Sequence, residues 1–133
     1  MGVAGYGKMA GMLGKKEIAD SYLATAREMA GKWISMAKDG DHYKLTFDKS
    51  GTWSQKYNLI WDKIMNMGIF PDSVVDKELR YYRTRQNQYG LPLDNRATYT
   101  KTDWIVWTAS LSSDTTTFRE FIKPLYRFMN ETE

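Results

Sequence analysis

Ile18, Tyr22, Ala26, Met29, Ala30, Trp33 and Ala37 recur at helical intervals between Lys15 and Lys38. Residues so spaced share one face only on a helix, because a 3.6-residue turn brings each back to the same side. The same period returns, between breakers, along the rest of the chain. Val3, Tyr6, Ala10 and Leu13 give a first stripe that Gly14 closes. Tyr57, Ile60, Trp61 and Ile64 give a third, with Gly68 placed to end it. Val75, Leu79, Tyr82 and Gln86 follow Pro71-Asp72-Ser73 and stop at Gly90. Trp104, Trp107, Thr108 and Leu111 form a short fifth stripe. Ser112-Ser113-Asp114 then recaps the chain for Phe118, Phe121, Ile122, Leu125 and Met129. Pro124 lies within this last stripe and is expected to kink or split it, since proline removes a backbone donor and crowds the preceding turn.

Six helices with short connections favour antiparallel neighbours. The expected class is therefore all-α, a single domain of helical hairpins over residues 1–133. Two stretches depart from the pattern. His42 to Phe47 alternates and reads as a short extended segment without a partner, after a turn at Asp39-Gly40-Asp41. Leu91 to Tyr99 must be a loop, because Pro92 disfavours helical geometry at Leu91. Thr52-Trp53-Ser54-Gln55 and Thr100-Lys101-Thr102-Asp103 both read as capping boxes, with Ser54 as a competing cap for the first.

With 14% aromatic residues and no cysteine, a chain of 133 residues must hold its core by packing alone, and it has the material to do so. The missing cysteines also exclude disulfides, thiolate metal sites and a cysteine nucleophile from this stretch. Nineteen Lys/Arg and sixteen Asp/Glu are interleaved, which reads as a mixed solvated face and argues against nucleic acid as a partner. Arg80, Arg83 and Arg85 beside Tyr81 and Tyr82 fit arginine stems laid over apolar surface better than a base-stacking platform. No apolar run reaches the ~18 residues of a membrane span. The single histidine, His42, sits in a turn and reads as a surface residue. No motif for a metal or cofactor is present, and none is expected.

Polar and aromatic groups gather at two loop-to-helix junctions, Trp53 to Asn58 and Gln86 to Trp104. Helix N-termini favour anions and developing negative charge. Such groups suit a small polar ligand such as a sugar or an amino acid, and equally suit caps with buried tryptophan anchors. On chemistry alone, Asp94, Asp62 and Asp103 are candidate bases. Lys101, Lys56 and Arg96 are candidate binders of an oxyanion or carboxylate, and Lys101 also counts among the catalytic candidates. Ser54 and Thr100 are candidate nucleophiles, and Trp53, Gln55 and Trp104 would shape the pocket. Asp103 competes with a role as cap partner of Thr100, and Asp62 with a structural ion pair.

The phrases Gly51-Thr52-Trp53-Ser54-Gln55-Lys56-Tyr57-Asn58-Leu59-Ile60-Trp61-Asp62, Phe70-Pro71, Gln86-Asn87, Tyr89-Gly90-Leu91-Pro92-Leu93-Asp94 and Tyr99-Thr100-Lys101-Thr102-Asp103-Trp104 resemble the glutaminase A family, the fungal-type glutaminases and their bacterial relatives. The resemblance runs over nearly the whole chain. It implies an α/α toroid of which about half, three hairpins of six, would be present. The partners it implies are the remainder of the same protein: the missing hairpins and a β-rich region. The implied activity is hydrolysis of the glutamine side-chain amide to glutamate and ammonia, by a secreted or periplasmic protein whose signal lies outside this stretch. A piece of that kind is expected to be inactive alone and to self-associate through apolar faces left uncovered. A glycosidase-like enzyme on the same scaffold and a non-catalytic helical binding domain are the alternatives.

Overall fold

The computed structural model describes residues 1–132. Six helices carry the fold: α1 (Gly2–Met12), α2 (Lys16–Ala37), α3 (Ile60–Ile64), α4 (Asp72–Arg83), α5 (Thr102–Ser110) and α6 (Thr115–Glu131). A two-stranded ribbon, β1 (Lys38–Asp39) and β2 (His42–Tyr43), and a 3-10 turn at Tyr57–Leu59 complete it. Among the described residues no helix is long and apolar enough to cross a membrane.

The α1–α2 hairpin turns at Gly14, whose φ of 73° suits a residue without a side chain. Its contact face is not the stripe of large residues. Ala4, Gly7 and Ala10 of α1 meet Ala19, Ala26 and Ala30 of α2, while Tyr6, Tyr22 and Met29 stay exposed. Small residues let the two backbones approach. A Cβ at Gly7 would lie 3.1 Å from Leu23 Cγ and 3.2 Å from the Ala19 carbonyl oxygen. The second contact is with backbone and cannot rotate away. Gly7→Val should therefore push the hairpin open at a cost of about 1–3 kcal/mol, read as a lower thermal midpoint.

The main core joins Tyr43, Trp53, Ile60, Val74, Tyr82, Leu91, Ile105 and Phe121. A smaller cluster of Ala4, Ala26, Ala30, Met67 and Ile69 lies under the first hairpin, and Phe70 packs against both. α5 and α6 form a second hairpin around Ser112-Ser113-Asp114, where Asp114 caps α6 by accepting from Thr117 N at 2.7 Å. The carbonyls of Ser110, Leu111 and Ser112, at the end of α5, accept from Lys63 Nζ at 2.9, 3.1 and 2.9 Å. A cation there offsets the negative helix terminus.

Several local expectations give way to tertiary partners. The extended segment does have a mate: β1 pairs with β2, Lys38 opposite Tyr43 and Asp39 opposite His42. His42 is not a surface residue. It is buried and stacks on Tyr81, with ring centroids 4.3 Å apart. Neither capping box forms. The Thr52 hydroxyl donates to Lys49 O at 2.7 Å and accepts from Leu45 N, and the helix behind it starts only at Ile60. Asn66, with φ 47°, takes the left-handed position directly after α3; Gly68, expected there, is left-handed too, with φ 61°, two residues further on. α4 ends at Arg83, well before Gly90, because the chain turns back on itself between Asn87 and Gly90. α6 runs through Pro124 unsplit.

Candidate functional site

Residues 53–55 and 93–95 lie side by side, although one segment precedes α3 and the other follows α4. Ser54 and Asp94 form an antiparallel bridge, Gln55 N donates to Leu93 O at 2.7 Å, and Trp53 N donates to Asn95 Oδ1 at 2.9 Å. This pairing lays Ser54, Gln55, Lys56, Tyr57, Asn58, Asp94 and Arg96 along a cleft of about 430 Å³, with Trp33, Leu45, Leu59 and Phe70 as apolar lining.

Asp94 is nearly buried and holds Arg96 three ways. Its Oδ1 accepts from Arg96 N at 2.8 Å and Nε at 3.0 Å, and its Oδ2 accepts from Nη2 at 2.7 Å. The hydrogen-bonded guanidinium keeps the Asp94 carboxyl below the usual carboxylate range. The Arg96 side chain as a whole is 69% exposed. Its Nη1 has no partner among the described residues. Arg96 is thus a fixed cation with donor capacity left for a carboxylate or oxyanion.

Lys56 lies deeper. Its Nζ is 3.0 Å from Ser54 Oγ, 3.0 Å from Ser54 O and 3.2 Å from Tyr43 O. Burial pushes this amine below the ordinary lysine range, while the nearby Glu78 works in the opposite direction. Behind it stand two fully buried residues of α4. Glu78 Oε1 accepts from Tyr43 N at 2.6 Å, and Oε2 is hydrogen-bonded to the Tyr82 hydroxyl. The Tyr82 oxygen also accepts from Lys56 N and lies 2.8 Å from Ser54 O. Burial holds the Glu78 carboxyl above the usual range and the Tyr82 phenol well above its own.

Gln55 ties the two segments to α5. Its Nε2 donates to Leu91 O at 3.0 Å and Pro92 O at 2.9 Å and lies 3.3 Å from Thr100 Oγ1, while its Oε1 accepts from Thr108 Oγ1 at 2.9 Å. It borders the cleft with its amide already engaged.

The structure therefore gathers Ser54, Gln55, Lys56, Asp94 and Arg96 and leaves the other candidates elsewhere. Asp62 is buried at the end of a separate cleft, where its carboxylate accepts from Ile69 N and Phe70 N and shapes the turn after α3. Trp53 is a core wedge against Tyr81 and Tyr82. Trp104 stacks on Tyr57 at 5.0 Å with Lys101 Nζ 4.6 Å from its ring centre, outside the cleft. Asp103 is exposed in the first turn of α5. Thr100 accepts from Gln55 and caps nothing. Glu78 and Tyr82 escaped notice as site residues. The available signal was a carboxylate three residues after Val75 and four before Tyr82, hence on the apolar face of its helix.

Comparison with known proteins bears on the whole chain. It is 29% identical over 136 residues to a protein named Glutaminase A from Aspergillus oryzae (strain ATCC 42149 / RIB 40), covering 99% of this chain and 20% of that protein. It is 27% identical over 146 residues to a probable glutaminase from Arthroderma benhamiae (strain ATCC MYA-4681 / CBS 112371), covering 88% of this chain and 16% of the relative. The chain thus spans a fifth or less of the relatives it matches. No solved structure matches it. Residues 1–133 match the glutaminase A six helical-hairpin domain, in keeping with the helical hairpins described above, and the chain belongs to that family.

Proposed function

We propose that this chain supplies one wall of the substrate pocket of a glutaminase-like amidohydrolase, a longer protein that releases ammonia from the side-chain amide of L-glutamine. The observation that carries this reading is Arg96, clamped by Asp94 and lining the same cleft as Ser54 and Lys56. Free glutamine presents a carboxylate at one end and the reacting amide at the other. A guanidinium held by two hydrogen bonds loses little entropy on taking a carboxylate, and charge-assisted bonds are the strong ones. Lys56 and Ser54 line the same cleft and would serve the amide end. The paired-carboxylate chemistry of glycosidases has less support here, because Asp94 is committed to Arg96 and Asp62 to two backbone N–H groups. Other hairpins of the protein would close the cleft and cover exposed residues such as Met12, Leu13, Tyr126 and Met129. The chain alone is then expected to be inactive.

Ammonia release from L-glutamine by the full-length protein, with this chain alongside, tests the reading. Arg96→Ala should raise KM about 10- to 100-fold, the worth of one charge-assisted carboxylate contact, with a smaller effect on kcat. Arg96→Lys should recover only part of it, since a lysine cannot reproduce the fork. Folded full-length protein that releases no ammonia from glutamine, or an Arg96→Ala variant with unchanged KM, would overturn the proposal.

A further inference from the structure

We infer that Ser54 and Lys56 form a nucleophile–base dyad in the wall of the cleft, acting on the carboxamide of a small polar substrate. The inference rests on the amidohydrolase reading for its substrate, but its geometry stands independently. Ser54 Oγ and Lys56 Nζ are 3.0 Å apart, and both residues line the cleft. The other two contacts of Nζ are carbonyl oxygens, Ser54 O and Tyr43 O. Carbonyls only accept. In a neutral amine the two N–H bonds satisfy those carbonyls, and the lone pair is left for the one neighbour able to donate, the Ser54 hydroxyl. This is the arrangement a general base needs toward a serine nucleophile.

The surroundings favour the neutral amine. Burial disfavours its charged form. The charged and titratable groups around it are Glu78 and Tyr82 from α4, Tyr43 from β2, and the Asp94–Arg96 pair in the lining of the same cleft, with His42 bearing on Glu78. Glu78 alone among these opposes the shift on Lys56, and burial holds Glu78 toward its own neutral form. Its mutual pair keeps Asp94 from acting as a free anion.

The steps balance without a further reagent besides water. Lys56 takes the Ser54 hydroxyl proton as Oγ attacks the amide carbon, and the carbonyl π pair moves to oxygen. Arg96 lies in the same cleft to receive that charge or the substrate carboxylate. Collapse of the tetrahedral species breaks the C–N bond, and the proton on Lys56 passes to the departing nitrogen, which leaves as ammonia. Water then attacks the Ser54 ester, gives its proton to Lys56 and returns the free acid. The proton goes back to Ser54 Oγ.

A fluorophosphonate, which phosphonylates activated serines, tests the dyad without reference to glutamine. With the full-length protein, peptide mapping should place the adduct on Ser54. The labelling rate should rise with pH along a single titration whose midpoint lies below the ~10.4 of free lysine. Ser54→Ala should abolish labelling, and Lys56→Met should slow it by roughly 100-fold or more, the usual worth of a general base. Circular dichroism establishes that each variant folds, and the pH profile of the unmutated protein requires no variant. Folded protein without a Ser54 adduct, a rate that ignores pH between 6 and 10, or labelling of Lys56→Met at the original rate would overturn the dyad. Undiminished ammonia release by Ser54→Ala would also overturn it while sparing the glutaminase reading. A Ser54 adduct in a protein inert to glutamine would uphold the dyad and discard glutamine as its substrate.

Discussion

Glu78→Ala should destabilise the fold by about 3–5 kcal/mol, whereas Glu78→Gln should cost less than about 1 kcal/mol. Alanine leaves the Tyr43 N–H without its acceptor and opens a void where a fully buried side chain stood. Glutamine keeps the shape. Its carbonyl accepts from Tyr43 N, its amide donates to the Tyr82 oxygen, and the Tyr82 proton is then free for Ser54 O. That is the bonding of a protonated Glu78, the form burial favours. The two variants should also separate in pH dependence. The folded pKa of Glu78 lies above its unfolded value, so over the interval between them the folded chain holds a proton that the unfolded chain has released. Stability from this group is therefore complete below the unfolded value and falls as pH rises to the folded one. Asp94 and Asp114, shifted down, act in the opposite sense at lower pH. The difference between the original chain and Glu78→Gln isolates the Glu78 contribution: urea midpoints from pH 4 to 8 should show the variant gaining on the original as pH rises. A constant gap would mean that folding leaves the Glu78 carboxyl at its unfolded pKa.

That carboxyl also shows where legibility in the sequence ended. Helix existence was readable because it depends on local period. Phe121 and Leu125 fell on the expected face of α6, and Asp114 capped it as its position suggested. The face a helix buries was less readable when small residues competed with large ones. In α2 the close approach through Gly7 favoured the alanines over Ile18, Tyr22 and Met29. The capping boxes failed for a different reason. Spacing reports only what a side chain can reach nearby, and Gln55 found partners 36 to 53 residues away. His42 was placed in the core by Tyr81, and the Ser54–Asp94 pairing by a fold that no local pattern encodes. The phrases resembling the glutaminase A family marked both segments of the cleft without showing which side chains turn into it. Trp53 and Lys56, three positions apart, illustrate this: one is a core wedge and the other borders the cavity.

Gln55→Ala should lower stability by about 3–4 kcal/mol, or roughly 10–15 °C in thermal midpoint for a chain of this size. Gln55→Glu should do no better. Removing the amide strips Leu91 O and Pro92 O of their donor and leaves the buried Thr108 hydroxyl without its acceptor. A glutamate places an acceptor oxygen where Nε2 stood, facing those same two carbonyls, and so exchanges attraction for repulsion. Damage should spread along the loop that Gln55 anchors. The amides of Leu93, Asn95 and Arg96, all in the loop that the glutamine pins to α5, are held by contacts to Tyr99, to Trp53 of the paired segment and to Asp94. Hydrogen exchange at these three should accelerate far more than at Phe121 or Leu125 in the core of α6. Since the same loop positions Arg96, the KM of the full-length protein for its substrate should rise in Gln55→Ala even where the variant remains fully folded. A loss of under about 1 kcal/mol with unaltered exchange in residues 91–99 would show that the Ser54–Asp94 pairing alone holds the cleft.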